Sequence, residues 1–165
     1  MIIKVKGDIL QSRAQAIAHG IAPYDHFNQG LALQLRGDFP AMAKDFRHYC
    51  HGARPKAGEI WMWAGPERIV INLMVQNAAQ HEDIHPEPAS LHNVDIALKA
   101  LRKLIEEENI SSIALPRLAT GVGGLEWVDV EKLIVRHLGG MKIPVVIYET
   151  YQKDVKAEEG LLQPF

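Results

Sequence analysis

Apolar and polar positions follow two different periods along this chain, and those periods set the first expectations. Ile3 and Val5 are flanked by lysines, a period of two that suits a strand, and Gly7-Asp8 ends it. After Ile9-Leu10 and a polar connection, Gln15-Ala16-Ile17-Ala18-His19 reads as a short buried strand. Ala22 to Gln29 reads as loop, with Pro23, Asp25 and Asn28. Gly30 to Leu35 reads as a short helix entered through a glycine, and Phe39-Pro40 opens a second one, proline suiting the first helical position. Met42, Phe46 and Tyr49 then recur at helical spacing, with Arg47, His48 and His51 on the wet side.

Lys56-Ala57-Gly58 reads as a turn before a strand over Glu59–Trp63, and Gly65-Pro66 as another turn. Arg68 to Val75 is almost continuously apolar, as expected of a strand buried on both faces. Gln76 to Ala89 has no period and reads as loop. Leu91, Val94, Leu98, Leu101 and Ile105 define an amphipathic helix whose Glu106-Glu107-Glu108 end is a solvated tip. An apolar run from Ile113 suggests a strand. Trp127, Val130, Leu133, Ile134 and Leu138 mark another helix, stopped at Gly139-Gly140. Ile143 to Tyr148 closes the pattern as a last apolar strand, and from Gln152 the chain is charged and aperiodic.

Strands that alternate with helices predict an α/β domain with a largely parallel or mixed sheet and helices on both faces. In such folds ligands bind beyond the carboxyl ends of the strands. Asp8, His19, Gln76, Thr120–Gly124 and Tyr148 all follow predicted strands and are expected at one rim. The boundaries expected are one domain over residues 1–150 and a flexible, fraying tail over 151–165.

Composition changes this picture little. The 165 residues suit a single domain with a sizeable core. With 18 basic and 20 acidic residues the charge is balanced, so no basic excess argues for a nucleic-acid surface. The single cysteine, Cys50, excludes an internal disulfide and a cysteine-built zinc site, and it fits a reducing compartment. Lysines interrupt the first apolar residues, and no apolar run is long enough to span a bilayer. The expectation is a soluble, monomeric, cytoplasmic protein without membrane contact.

The stretch that carries chemistry runs from Pro116 to Trp127. Gly121, Gly123 and Gly124 fall within it, after a strand and before a helix. Successive N–H groups in such a turn can form a nest for an anion, and a following helix adds its free N–H groups and dipole. A tight turn with no ligand is the alternative reading.

Three segments in register sharpen the choice: Val5-Lys6-Gly7-Asp8-Ile9-Leu10, Asn28-Gln29-Gly30-Leu31-Ala32, and Pro116-Arg117-Leu118-Ala119-Thr120-Gly121-Val122-Gly123-Gly124-Leu125 with Trp127. Together they resemble the macrodomain family, over Ile2 to about Tyr148. Within it the chain is similar to the branch holding terminal ADP-ribose protein glycohydrolases, antitoxin macrodomains that reverse ADP-ribosylation of DNA, and yeast-type ADP-ribose 1″-phosphate phosphatases. The resemblance implies a single three-layer α/β/α macrodomain around a mixed, largely parallel sheet. It implies a ligand, ADP-ribose or an ADP-ribosylated protein or nucleic acid, and no cofactor. Asp8 would accept from the adenine amino group, beside the Ile9 backbone, and Tyr148 would pack near the adenine. Thr120, Gly121, Val122, Gly123, Gly124 and Leu125 would hold the diphosphate, and Asn28, Gln29, Gly30 and Leu31 would close over the distal ribose and its phosphate.

The sequence departs from the related hydrolases at two places. Their lysine after the fourth strand falls at Gln76-Asn77 here, and no lysine occurs between Lys56 and Lys99. An amide cannot supply the free amine such chemistry uses. An acid that one relative carries in the glycine loop falls at Gly123. Catalysis would then rest on water positioned by the first loop and the diphosphate, with His19, Asp25 and His26 as candidate acid or base groups. Each has an alternative reading: His19 as a buried histidine bonded to a neighbouring loop, Asp25 and His26 as an exposed pair. His81-Glu82-Asp83-Ile84-His85 matches the zinc string HExxH, but Pro86 follows at once and no helical pattern surrounds it, so no metal is expected. Three activities stay open: a hydrolase that removes ADP-ribosyl groups, a non-catalytic reader, and a phosphatase acting on ADP-ribose 1″-phosphate.

Overall fold

The computed structural model describes residues 1–79 and 86–161. Its elements are β1 (Ile2–Gly7), a 3₁₀ turn (Ile9–Gln11), β2 (Ala16–Ile21), α1 (Gly30–Asp38), α2 (Pro40–Ala53), β3 (Ile60–Ala64), β4 (Ile69–Met74), α3 (Leu91–Glu107), β5 (Ile113–Pro116), α4 (Trp127–Leu138) and β6 (Val145–Tyr151). The strands form one sheet in the order β1-β6-β5-β2-β4-β3. Every neighbouring pair is parallel except β3 with β4. The sheet is therefore mixed and largely parallel, as expected.

Side chains on the strands divide between two faces with a period of two. Ala16, Ala18, Ile71, Leu73, Ile113, Leu115, Val145 and Ile147 face α3 and α4, where they meet Leu98, Leu101, Val130 and Ile134. Val70, Met74 and Ile21 face the other way, against Leu35 of α1 and Met42, Phe46 and Cys50 of α2. Pro40 sits at the start of α2, and α3 is capped by the Ser90 side chain, which accepts from the Asn93 N–H. No helix among the described residues is long and apolar enough to cross a membrane.

Two expectations change. The last strand begins at Val145 and runs on to Tyr151, so the polar residues Glu149 and Thr150 belong to it. Its pairing with β1 holds them there, through a register irregularity between Val5 and Lys6. The tail also differs from the fraying segment expected. Helices α1 and α2 cover only half of their face of the sheet. Over β1, β6 and β5 the cover is a third cluster, with Ile17, Val146 and Tyr148, onto which Ala157 and Leu161 pack. The Glu159 carboxylate is buried and accepts from the Ser12 hydroxyl (2.6 Å), the Arg13 N–H (2.8 Å) and the Tyr148 hydroxyl (2.9 Å). Up to Leu161 the tail packs on that part of the sheet, beside Ile9 of the 3₁₀ turn and Leu31 of α1.

Candidate functional site

The parallel strands β1, β6, β5, β2 and β4 point their carboxyl ends to one rim, and two adjoining cavities open there. One, of ≈ 260 Å³, lies between the first loop and the glycine loop, with His19, Asp25, Gln29, Gln76, Arg117 and Val122 among its walls. The other, of ≈ 390 Å³, lies between α1 and the ends of β1 and β6, with Ile9, Gln34, Tyr148 and Tyr151 in its walls. Gly30, Leu31 and Pro116 line both, so the two are lobes of one cleft.

The glycine loop is built to present N–H groups. Ala119 takes a left-handed φ of 62°, the Leu125 N–H closes onto the Ala119 carbonyl at 3.0 Å, and the Gly124 N–H bonds the Gly121 carbonyl at 3.1 Å. Among the described residues, the N–H groups of Gly121, Val122 and Gly123 donate to no backbone carbonyl. Unpaired, adjacent donors are what an anion nest requires. Gly123 admits no side chain: a Cβ there would lie 2.5 Å from the Ala119 oxygen. Its own carbonyl accepts from the Ala89 N–H at 2.9 Å, which ties the residues after the fourth strand to the loop. Helix α4 starts only at Trp127, so the nest stands apart from the helix N-terminus instead of forming it. Thr120 turns its hydroxyl back to the Arg117 carbonyl (2.8 Å), and neither it, Gly124 nor Leu125 lines the cleft. The Arg117 guanidinium lies 5.7 Å from the Trp127 ring centroid.

The first loop is shaped by Asp25. Its carboxylate accepts from the Ala22 N–H at 3.0 Å and the Phe27 N–H at 2.9 Å, holding a turn in which Tyr24 and Phe27 both take positive φ. Asp25, Asn28, Gln29, Gly30 and Leu31 line the first lobe. His26 does not; it is exposed, and its carbonyl accepts from Arg36.

His19 lines the same lobe, yet its ring is buried and bonded to Asn72, its register partner on β4. The Asn72 Nδ2 points to the Trp61 carbonyl (3.4 Å), which leaves Oδ1 for His19 and places the imidazole proton on Nε2. Burial lowers the His19 pKa to about 4, with the Asn72 bond and the Asp25 charge opposing it. The imidazole is neutral at pH 7 and is no acid.

Gly7 and Ile9, on either side of Asp8, line the second lobe. Asp8 lines neither lobe: its two carboxylate oxygens accept from the Leu10 and Asp154 N–H groups, each at 3.0 Å. Tyr148 lines the second lobe, but its hydroxyl points into the fold toward Glu159. Burial, reinforced by that carboxylate, pushes its pKa well above the usual tyrosine range. Sequence reasoning did not single out Tyr151 and Gln34 in the second lobe. Tyr151 follows from where β6 ends, and Gln34 lies exposed on α1, three residues after Leu31; neither is marked by a motif.

Gln76, where related hydrolases carry a lysine, lines the first lobe with its Nε2 donating to the Glu87 carbonyl at 3.1 Å. No lysine lines either lobe among the described residues. No group of three or more His, Cys, Asp or Glu able to hold a metal occurs among the described residues, and His81–His85 lies outside them.

A fold of this topology with a glycine nest at the rim defines a class. The chain belongs to the macrodomain family: the family profile described as Macro domain matches residues 27–134. It is 29% identical over 140 residues to a protein of Mycobacterium tuberculosis named DNA ADP-ribosyl glycohydrolase, covering 82% of this chain and 38% of that protein. It is 20% identical over 148 residues to the human ADP-ribose glycohydrolase OARD1, covering 89% of this chain and 90% of that protein. Among solved structures, the macrodomain of Thermus aquaticus DarG superposes with a TM-score of 0.78 at 28% identity, covering 90% of this chain and 98% of that one. The chain thus spans about two fifths of the length of the glycohydrolases it matches at 28–29% identity.

Proposed function

We propose that this chain binds ADP-ribose in the two-lobed cleft and removes ADP-ribosyl groups from a modified macromolecule, nucleic acid or protein. The observation that carries the reading is the nest of unpaired N–H groups at Gly121–Gly123 beside the junction of the two lobes. A diphosphate held there would reach the second lobe with its nucleoside and the first lobe with its distal ribose. The glycohydrolase names of its relatives agree with this chemistry.

In the hydrolysis, water adds to the anomeric carbon of the distal ribose and the bond to the macromolecule breaks. The departing atom takes a proton, and the water gives one up. Among the described residues, the Asp25 carboxylate is the anionic group in the first lobe able to orient that water, and its position is fixed by its two N–H donors. His19, neutral, supports it as a wall and not as an acid. Neutral N–H donors at the diphosphate stabilise charge without requiring a basic surface.

The same cleft supports a second reading, a reader without turnover. The observation favouring it is Gln76, whose amide is tied to Glu87 where an amine would be needed. Incubating the protein with ADP-ribosylated DNA, ADP-ribosylated protein and ADP-ribose 1″-phosphate separates the readings. Release of ADP-ribose from the first or second supports the hydrolase. Release of phosphate alone would point to the phosphatase, and release from none leaves the reader.

A further inference from the structure

The two edges of the sheet are guarded differently. The β1 edge carries Lys4 and Lys6, and the tail runs along its end, where the Gln152 N–H donates to the Gly7 carbonyl at 3.0 Å. The opposite edge is β3, which reads Ile60-Trp61-Met62-Trp63-Ala64 and holds neither a charge nor a proline. Its register against β4 runs unbroken from Ile60 to Ala64, so no bulge turns it away. Lysines, prolines and bulges are the devices that keep an edge from pairing with another chain, and β3 has none of them.

The ladder fixes which backbone groups of β3 face outward. The Gly65 N–H donates to the Arg68 carbonyl at 2.9 Å, and the Met74 N–H to the Glu59 carbonyl at 3.0 Å. Bonded pairs alternate along an antiparallel ladder, so in this register Trp61 with Asn72 and Trp63 with Val70 are the bonded pairs between those two. The N–H and C=O groups of Ile60, Met62 and Ala64 therefore point away from β4. Among the described residues, no loop or turn bonds to them.

We propose that β3 is a dimer interface, pairing antiparallel with β3 of a second copy about a two-fold axis at Met62. The occupant is a second copy because the strand is matched to itself. With Met62 opposite Met62 of the second copy, Ile60 falls opposite Ala64, and every outward N–H and C=O of the three residues meets a partner. Sliding the register by two residues one way sets Ala64 against Gly58, whose N–H is already bonded to the Met74 carbonyl at 2.7 Å. Sliding it the other way sets Ile60 against Pro66, which has no N–H to give.

The side chains agree with this register. Paired residues share a face, so Trp61 stands opposite Trp63 of the second copy on the α2 side, while Met62 meets Met62 on the α3 side. Both indoles are already held, Trp61 stacked on Tyr49 with ring centroids 5.3 Å apart and Trp63 donating from Nε1 to Asp45 at 2.9 Å, so pairing costs them little freedom. Glu59 falls opposite Gly65, and no like charges meet. The pairing is isologous: it joins two six-stranded sheets, uses the β3 edge of each copy and closes. No residue of β3 lines either lobe, so both clefts stay open and the inference is independent of the ADP-ribose reading.

The test is sedimentation velocity on the wild type, Met62→Lys, Met62→Glu and an equal mixture of the two variants. The wild type is expected to sediment as a dimer whose fraction rises with concentration. Each variant sets like charges against one another at the axis and should weaken self-association by roughly tenfold or more, while the mixture, with Lys opposite Glu, should recover the dimer. Met62 is half-buried, and circular dichroism matching the wild type shows that a variant folds. Amide exchange needs no variant and decides the matter if neither folds. The N–H groups of Ile60, Met62 and Ala64 should be protected at concentrations that favour the dimer and exchange on dilution, whereas those of Trp61 and Trp63, bonded to β4, stay protected in both. A wild type that remains a single chain at every concentration overturns the proposal, as do open-ended polymers, a dimer that folded Met62→Lys and Met62→Glu leave intact, or a dimer whose three edge amides exchange freely.

Discussion

The imidazole Nε2 of His19 lies 2.6 Å from the Asn72 Oδ1, and the two residues face one another in register on β2 and β4. Burial, which the Asn72 bond and the Asp25 charge oppose, keeps this titratable side chain neutral at the wall of the cleft. Because the folded pKa is about 4 against an unfolded value of 6.5, the unfolded chain binds the proton first as pH falls. Between those values, stability rises with pH and is lost on acidification, at up to about 1.4 kcal/mol per pH unit from this group. Denaturant unfolding of wild type and His19→Gln at pH 7, 6 and 5 checks it. The two should diverge least at pH 7 in slope and most between pH 6 and 5. Parallel curves throughout would mean that His19 titrates normally in the fold.

Glu159 is the polar anchor of the tail. Replacing it with Ala leaves the Ser12 and Tyr148 hydroxyls and the Arg13 N–H without their acceptor. It also removes the charge that offsets burial of the Arg68 guanidinium, whose Nη2 donates to the Ser12 carbonyl at 2.6 Å. Glu159→Ala should lower unfolding stability by about 2–4 kcal/mol. A loss below roughly 0.5 kcal/mol, the range of ordinary surface substitutions, would mean that the tail does not cover the sheet in solution.

Gly123 and Gly121 make a matched pair in the glycine loop. A Cβ at Gly123 meets the Ala119 oxygen at 2.5 Å, whereas one at Gly121 meets nothing within 4 Å. Gly123→Ala should weaken ADP-ribose binding by about tenfold or more by displacing the nest, while Gly121→Ala stays within roughly threefold of wild type. Isothermal titration of the two variants reads this directly, and equal losses would show that the loop is not held in this conformation. The same geometry explains why the acid that one relative carries at this position has no room here.

Much of the fold was legible because its strands are buried on both faces and alternate strictly. Ile71 and Leu73 face one way, Val70 and Met74 the other, a pattern visible in the sequence as a continuous apolar run. Residues 28–31 line the first lobe, and only the resemblance singled them out, while Asp25 stood out as a carboxylate in the same loop. The tail was not legible, since Glu159 has meaning only through Ser12, Arg13 and Tyr148, groups far away in the chain or on another strand. The surroundings of Asp8 were hidden for the same reason: its motif is local, but the donors to its carboxylate include the Asp154 N–H. The end of β6, and with it Tyr151 in the second lobe, depends on pairing with β1, which local apolarity does not reveal.

The central claim is that the two lobes and the nest between them form an ADP-ribose site, and calorimetric titration of the protein with ADP-ribose tests it most directly. The account predicts saturable binding with a stoichiometry of about one, weakened in Gly123→Ala and preserved in Gly121→Ala. Absence of heat and of any thermal shift at millimolar ligand would contradict it.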